Sequence, residues 1–358
     1  MGGRKVKLIV FPYSNEYNVF AAYSALLTGY NEILPITIKG SGLDGKDMDV
    51  LNNGTEVGTI INSDFDGALG SADAVFFGFQ DGLKKDAYLN KIIKSFDEKK
   101  KVYIIDKLLP LVYDVTINKN YAILSFDNIN LEVDENHQLL SIPIPVVLVA
   151  GVGEKCDKFH VQLGLKDAFE KEGYRVSQWG TKAYSSLFGI KPLPKYLFDL
   201  HPTRDKIISF NHLVYDQAKR DKADVIIIGI PGGIMRSNPF MFDDFGEYAF
   251  IISNAVKADT GIICTYAIEM NEEFIEKLLS VCIYRLNMKP QYFNIATSGI
   301  SITAEKKVTE YYFVSPAYIN SSIISKSGTY KKMAFCSLEQ GGMKKAAEGI
   351  INYLKENI

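Results

Sequence analysis

Hydrophobic positions along the chain follow two rhythms. Short apolar runs at Lys7–Phe11, Ile33–Ile38, Val57–Ile61, Ala74–Gly78 and Val102–Ile105 predict strands. Between them, Val19, Phe20, Tyr23 and Leu27 form one helical stripe that Gly29 is placed to stop, and Leu89, Ile92, Ile93 and Phe96 form another. The second stripe runs into Lys99–Lys101, whose charges suit the negative end of a helix dipole and read as a solvated terminus. Tyr121–Val133 alternates as edge strands or a hairpin do, and Pro143 and Pro145 interrupt the pattern.

The rhythm restarts with the very apolar run Val146–Ala150, followed by a helix over about Asp157–Glu172. Arg175–Gln178, Val225–Gly229 and Ala334–Leu338 predict further strands, and Phe245–Val256, Asn271–Leu286 and Gly341–Asn357 further helices. In the helix over 271–286, Cys282 recurs with Phe274, Leu278 and Leu286 on one stripe, which marks it as a packed core thiol. Strands alternating with helices define an α/β class. At 358 residues the chain suits two domains. The expectation is a Rossmann-like parallel sheet over residues 1–142, followed by a phosphate-loop-NTPase-like α/β domain with a degenerate loop over 143–358.

Composition narrows the partners. Charged residues make up 23% of the chain with a net charge of -2, and Lys and Arg are dispersed, so no broad electrostatic grip on nucleic acid or an anionic membrane is expected. No apolar run approaches the roughly 20 residues needed to span a bilayer, and the run at Leu8–Phe11 is too short for a signal peptide's core. Cys156, Cys264, Cys282 and Cys336 lie far apart without CxxC spacing, as reduced thiols do. A cytoplasmic location is the resulting expectation, and self-association is compatible with it.

The sharpest chemical signal lies at residues 148–159, read as strand, glycine turn and helix start. Gly151 and Gly153 permit close backbone approach to an anion, amides at a helix start donate to it, and Lys158 supplies charge. Three features depart from a phosphate loop. Asp157 stands where a glycine is expected, Phe159 replaces the hydroxyl that holds Mg²⁺, and Glu154 adds a second carboxylate. Glu154 and Asp157 cancel Lys155 and Lys158, so a self-capped turn, in which the carboxylates occupy the helix-start amides, is the competing reading.

A second glycine feature, Ile226–Ile234, follows a buried strand, and its Pro231, Gly232 and Gly233 are expected at the carboxyl edge of the same sheet, where ligands of open α/β sheets bind. Gln178 and Thr181 follow the next strand and offer hydrogen bonds at that edge; Trp179 between them is either a stacking surface or core. Cys156 and His160 are four apart, but nothing nearby completes a metal site, so none is predicted. His201 and His212 have no nucleophile at a telling spacing, and the Gly40–Asp47 loop lacks a dinucleotide-binding pattern. The candidate ligand-binding residues are thus Gly151, Gly153, Glu154, Asp157, Lys158, Gln178, Thr181, Pro231, Gly232 and Gly233; no catalytic residue is assigned.

At Gly151–Glu154, Lys158–Phe159, Gln162, Gly173–Gln178, Leu187–Gly189 and Ile226–Gly233 the chain resembles the clostridial peptide maturation system proteins, encoded among genes for ribosomally made, modified peptides. Phe11–Tyr13, Gly42–Asp47 and Ser63–Asp66 carry the likeness into the first half. The resemblance implies an accessory factor in natural-product peptide maturation, with a precursor peptide or its modifying enzyme as partner. More distantly, the second half resembles phosphate-loop domains that follow a Rossmann-like domain, in a group with acyltransferase members, which implies ATP or GTP as a cofactor. Three readings therefore stand: an accessory factor, an ATP- or GTP-dependent ligase or transferase, and a non-catalytic scaffold.

Overall fold

The computed structural model describes residues 4–51, 57–133, 138–236, 246–303 and 308–357. Contacts divide the chain into two units, Met1–Phe126 with Lys182–Pro192, and Asp127–Thr181 with Leu193–Ile358. The class is α/β, with parallel sheets carrying both units. Among the described residues no helix is long and apolar enough to cross a membrane.

In the first unit β1 (Lys7–Phe11), β2 (Glu32–Pro35), β3 (Ala74–Phe77), β4 (Lys101–Ile105) and β5 (Ala122–Leu124) pair in parallel in the order β2-β1-β3-β4-β5. The short helices α1 (Val19–Ala22) and α2 (Phe65–Leu69), and the longer α3 (Asp86–Asp97) and α4 (Leu109–Thr116), connect them. Strand alternation sends Ile9, Phe11, Val75, Phe77, Val102 and Ile104 into a core with Phe65, Tyr88, Ile92 and Val112. A cluster of stacked and tilted rings forms a second core: Phe20 lies 5.3 Å from Phe76, 5.8 Å from Tyr184 and 5.1 Å from Phe188. Tyr184 and Phe188 come from the 182–192 segment, which includes the two-residue β8 (Lys191–Pro192), and this ring packing places that segment with the first unit.

Several local expectations are corrected. Val57–Ile61 makes only an isolated bridge from Ile60 to Asp47, because this stretch supplies amides to the Asp47 carboxylate rather than to a sheet. Tyr121–Val133 forms one short strand at Ala122–Leu124 and no hairpin. The lysine run sits at the end of α3 and continues past it: Lys99, at φ 55°, and Lys100 donate their amides to the Phe96 and Ser95 carbonyls of the last turn, and Lys101 opens β4.

In the second unit β6 (Val146–Gly151), α5 (Lys158–Lys171), β7 (Val176–Gly180), α6 (Thr203–Asp221), β9 (Val225–Gly229), α7 (Glu247–Ala255), β10 (Thr260–Thr265), α8 (Glu272–Leu286) and β11 (Pro290–Ile295) follow in turn. Phe245, which opens the predicted helix, lies outside the described residues. An antiparallel hairpin of β12 (Ser298–Thr303) and β13 (Val308–Phe313), a turn of helix α9 (Pro316–Tyr318), β14 (Ala334–Phe335) and α10 (Gly342–Asn357) complete the unit. Its parallel sheet runs β14-β11-β10-β6-β9-β7. Both faces of the central strands are covered, so β6 and β9 are buried at every residue, as their unbroken apolar runs require. The winding reverses at β6: the chain leaves it toward β7, returns as β9 on that side, then crosses to β10 on the other. Loops leaving the carboxyl ends of β6, β9 and β10 therefore meet at one place.

Tyr184, buried among the rings of Tyr17, Phe20 and Phe76, is expected to be essential to the first unit despite its place far along the chain. Tyr184→Ala should lower stability by about 3–5 kcal/mol in chemical denaturation, and a fragment of residues 1–142 should bind a hydrophobic dye without a cooperative transition. A cooperatively unfolding 1–142 fragment contradicts the grouping.

Candidate functional site

The carboxyl edge of the first sheet is closed. In the order β2-β1-β3-β4-β5 a ligand crevice is expected where β1 and β3 end. There Tyr17 packs on Gly78, where an added Cβ would stand 2.2 Å from the ring, and its hydroxyl donates to the Phe79 carbonyl at 2.8 Å. The 40–47 loop is also tied into the unit: Asp47 accepts the amides of Asp49 at 2.9 Å and Gly58 at 2.8 Å, and Ser63 donates to Asp44 at 2.7 Å.

The second sheet's carboxyl edge is built differently. Gly151 ends β6 with Cys156 and Lys158 packed against it, where an added Cβ would stand 2.4 Å from Cys156 Sγ and 3.0 Å from Lys158 Cδ. Lys158 opens α5 with only 8% of its surface exposed. Its ammonium donates to the Gly153 carbonyl at 2.6 Å and, by a short bond, to the Gly232 carbonyl, so one cation joins the two glycine loops. That join depends on Gly233, where a Cβ would stand 2.8 Å from the Val152 carbonyl, and on Gly232 at φ 64°. Pro231 is buried between β9 and these glycines. Among the described residues no carboxylate lies within ion-pair distance of Lys158.

The self-capped reading is overturned. Asp157 takes φ 59°, the left-handed conformation for which a glycine is the usual choice, and its side chain makes no cap hydrogen bond. The carboxylate instead accepts the Thr297 amide at 3.1 Å. Glu154 is exposed, and its carbonyl accepts the Tyr266 hydroxyl at 2.8 Å. Lys155 extends over the Tyr311 ring, 4.7 Å from its centre, and its carbonyl accepts Ser298 Oγ. Carbonyls 153, 154 and 155 are thus all engaged, whereas the amides of Glu154, Lys155 and Lys158 have no acceptor among the described residues. Donors left open at a helix start, beside a buried ammonium, are what binding of an anion requires.

Two predicted residues gather elsewhere. Gln178 is 3% exposed and donates to the Gln162 carbonyl at 2.9 Å, tying β7 to α5; Thr181 accepts from Gln162 Nε2 at 3.0 Å. Gln162 lies against Gly229, so these three brace the helix that presents Lys158. Trp179 is core, 1% exposed and edge-on to Phe210 at 5.9 Å. Cys156 donates to the Gly153 carbonyl at 3.1 Å, and burial pushes its thiol up. Phe159, 4% exposed, fills the hydroxyl's place with an apolar ring, and β9 ends on Gly229 without a carboxylate. Among the described residues no three His, Cys, Asp or Glu side chains are grouped to hold a metal ion. Tyr266, Thr297, Ser298 and Tyr311 complete the site and carry no motif in sequence.

No family model and no curated protein matches the chain. Among solved structures it is similar to a DUF1611 family protein from Anabaena variabilis, at 12% identity and a TM-score of 0.62, over 99% of this chain and 100% of that one. A GTPase from Pyrococcus abyssi, in its apo form, matches at 14% identity and a TM-score of 0.26, over 47% of this chain and 72% of that one. The first likeness is one of fold.

Two outcomes are expected. Lys158→Ala leaves the Gly153 and Gly232 carbonyls without their donor and should destabilise the ligand-free protein by about 2 kcal/mol; an unchanged denaturation midpoint contradicts the tether. Burial holds His160 down at about 3, so the unfolded chain takes up its proton first as pH falls below 6.5. The stability it permits is present above pH 6.5 and should drop by about 2 kcal/mol by pH 5. His160→Leu should remove that part of the slope, and an unchanged pH dependence counts against the buried neutral imidazole.

Proposed function

We propose that the second unit binds a phosphate-bearing small molecule at the 151–158 loop and uses the phosphate as an anchor rather than as the leaving group. One observation carries the reading: the Lys158 ammonium is buried, held only by carbonyls, and without a carboxylate among the described residues. An ammonium removed from water costs several kcal/mol unless an opposite charge compensates it. Two of its three protons are used, and the third, with the amides of Glu154, Lys155 and Lys158, is available to a phosphate.

Anchoring without transfer follows from what surrounds the lysine. Phosphoryl transfer on such loops relies on a hydroxyl and a carboxylate to hold Mg²⁺; here Phe159 and Gly229 occupy those places. A ligase or transferase role then has the phosphate-bearing molecule as the donor or its carrier. The accessory role in peptide maturation is the form of this proposal that the motif resemblance favours, since two of the motifs that carry it, 151–154 and 226–233, are the loops that Lys158 joins. A precursor peptide or its modifying enzyme is the partner in that form.

Calorimetry with inorganic tripolyphosphate, ATP, GTP and coenzyme A, with and without Mg²⁺, tests the anchor. Binding is expected in the presence of EDTA, without release of inorganic phosphate, and at about 100 times Kd it should stabilise the protein by about 2.7 kcal/mol. Lys158→Ala should abolish it. Binding that requires Mg²⁺ and proceeds to phosphate release contradicts the anchoring role.

A further inference from the structure

We infer that Phe313 supplies a stacking surface for a planar ring carried by the same ligand, so that the site takes a nucleotide-type molecule, a phosphate chain bearing a flat heterocycle. The inference rests on the phosphate reading above and adds what lies beside it. The β12–β13 hairpin is fastened to the 151–158 loop at successive points: Ser298 Oγ donates to the Lys155 carbonyl, the Thr297 amide donates to Asp157 Oδ2 at 3.1 Å, and Lys155 sits over Tyr311. The antiparallel register sets Ser298 opposite Phe313 and Ile300 opposite Tyr311. Side chains of directly opposed residues, and of residues two apart, share a face. Ser298, Tyr311 and Phe313 therefore lie on the hairpin face that meets the glycine loop.

Their burial on that shared face differs. Ser298 is fully buried and Tyr311 packs 6.3 Å from the buried Tyr266, but Phe313 leaves 55% of its surface open. It stands at the hairpin's base, one residue from the Val314 amide that donates to the Thr297 carbonyl at 2.8 Å, and Thr297 in turn holds Asp157 beside Lys158. An open phenyl ring is thus held by backbone bonds on the hairpin face that Ser298 fastens to the loop. Tyr312, on the opposite face, covers Gly299, where a Cβ would stand 2.1 Å from its ring, and it points away from the loop. Lys155 is drawn over Tyr311, which leaves Lys158 and the amides to hold the phosphate and the aromatic rim to meet the ring. A ring stacked on an exposed aromatic is tolerant of which heterocycle it is, so adenine and guanine are both accepted.

Calorimetry on the intact chain with two probes of similar charge, ATP and inorganic tripolyphosphate, separates ring from phosphate. Wild-type protein is expected to bind ATP about tenfold tighter than tripolyphosphate. Phe313→Ala should remove that advantage and leave tripolyphosphate binding unchanged; Phe313→Trp should keep the advantage, and Tyr312→Ala should not alter it. Equal affinities of the wild type for the two probes, or equal weakening of both by Phe313→Ala, overturns the stacking role while the phosphate site stands. Failure of both probes to bind the wild type overturns the phosphate reading and this inference with it.

Discussion

A single ammonium governs the architecture of the second unit's open edge. Lys158 reaches back from the first turn of α5 to the Gly153 carbonyl and across to the Gly232 carbonyl, and both contacts require backbones to approach more closely than any side chain allows. Gly151, Gly153 and Gly233 are each crowded where a Cβ would stand, by Cys156, Tyr266 and Val152 respectively. The carbonyls that serve the lysine and its neighbours face inward, and the amides of Glu154, Lys155 and Lys158 have no acceptor among the described residues. Replacing the cation removes both the bridge and the charge that an anion answers.

The division of labour between units has the same physical root. Each sheet ends in a place where an α/β fold can open a crevice, and the first fills it with Tyr17 against Gly78 while the second lines it with glycine backbone. Aromatic rings fill the first unit's core and reach that edge, where Tyr17 covers Gly78. In the second unit the glycines cost packing and leave unpaired donors, a cost that makes sense where a ligand supplies the missing acceptor.

Much of this was legible in the sequence, and the misses have identifiable causes. The unbroken apolar runs of β6 and β9 mark buried parallel strands, and the 3.6-residue stripe of α8 and α10 marks their helices, because those signals are local and strong. The glycines that join at Lys158 were found by motif. Strand order brings Gln178 and Thr181 to the same edge, and their bonds to Gln162 are contacts between distant positions that no local pattern encodes. The preference of carboxylates for helix starts suggested capping by Asp157, yet its left-handed backbone turns the side chain toward Thr297. The hairpin carries no legible pattern because its mixture of Ser, Gly, Thr and Tyr gives no clean alternation, and its partner is the loop across the sheet edge. Lys182–Pro192 joins the first unit through rings spaced more than a hundred residues apart in sequence, which periodicity cannot reveal.

The central claim is that a phosphate completes the charge of Lys158 and is received by the amides of the 153–158 loop. Titrating isotope-labelled protein with tripolyphosphate and following backbone amide resonances tests it residue by residue. Saturable shifts are expected at Glu154, Lys155 and Lys158, with smaller ones at Gly153, Gly232 and Gly233, all lost in Lys158→Ala. Shifts confined to other surfaces, or unchanged in that variant, contradict it.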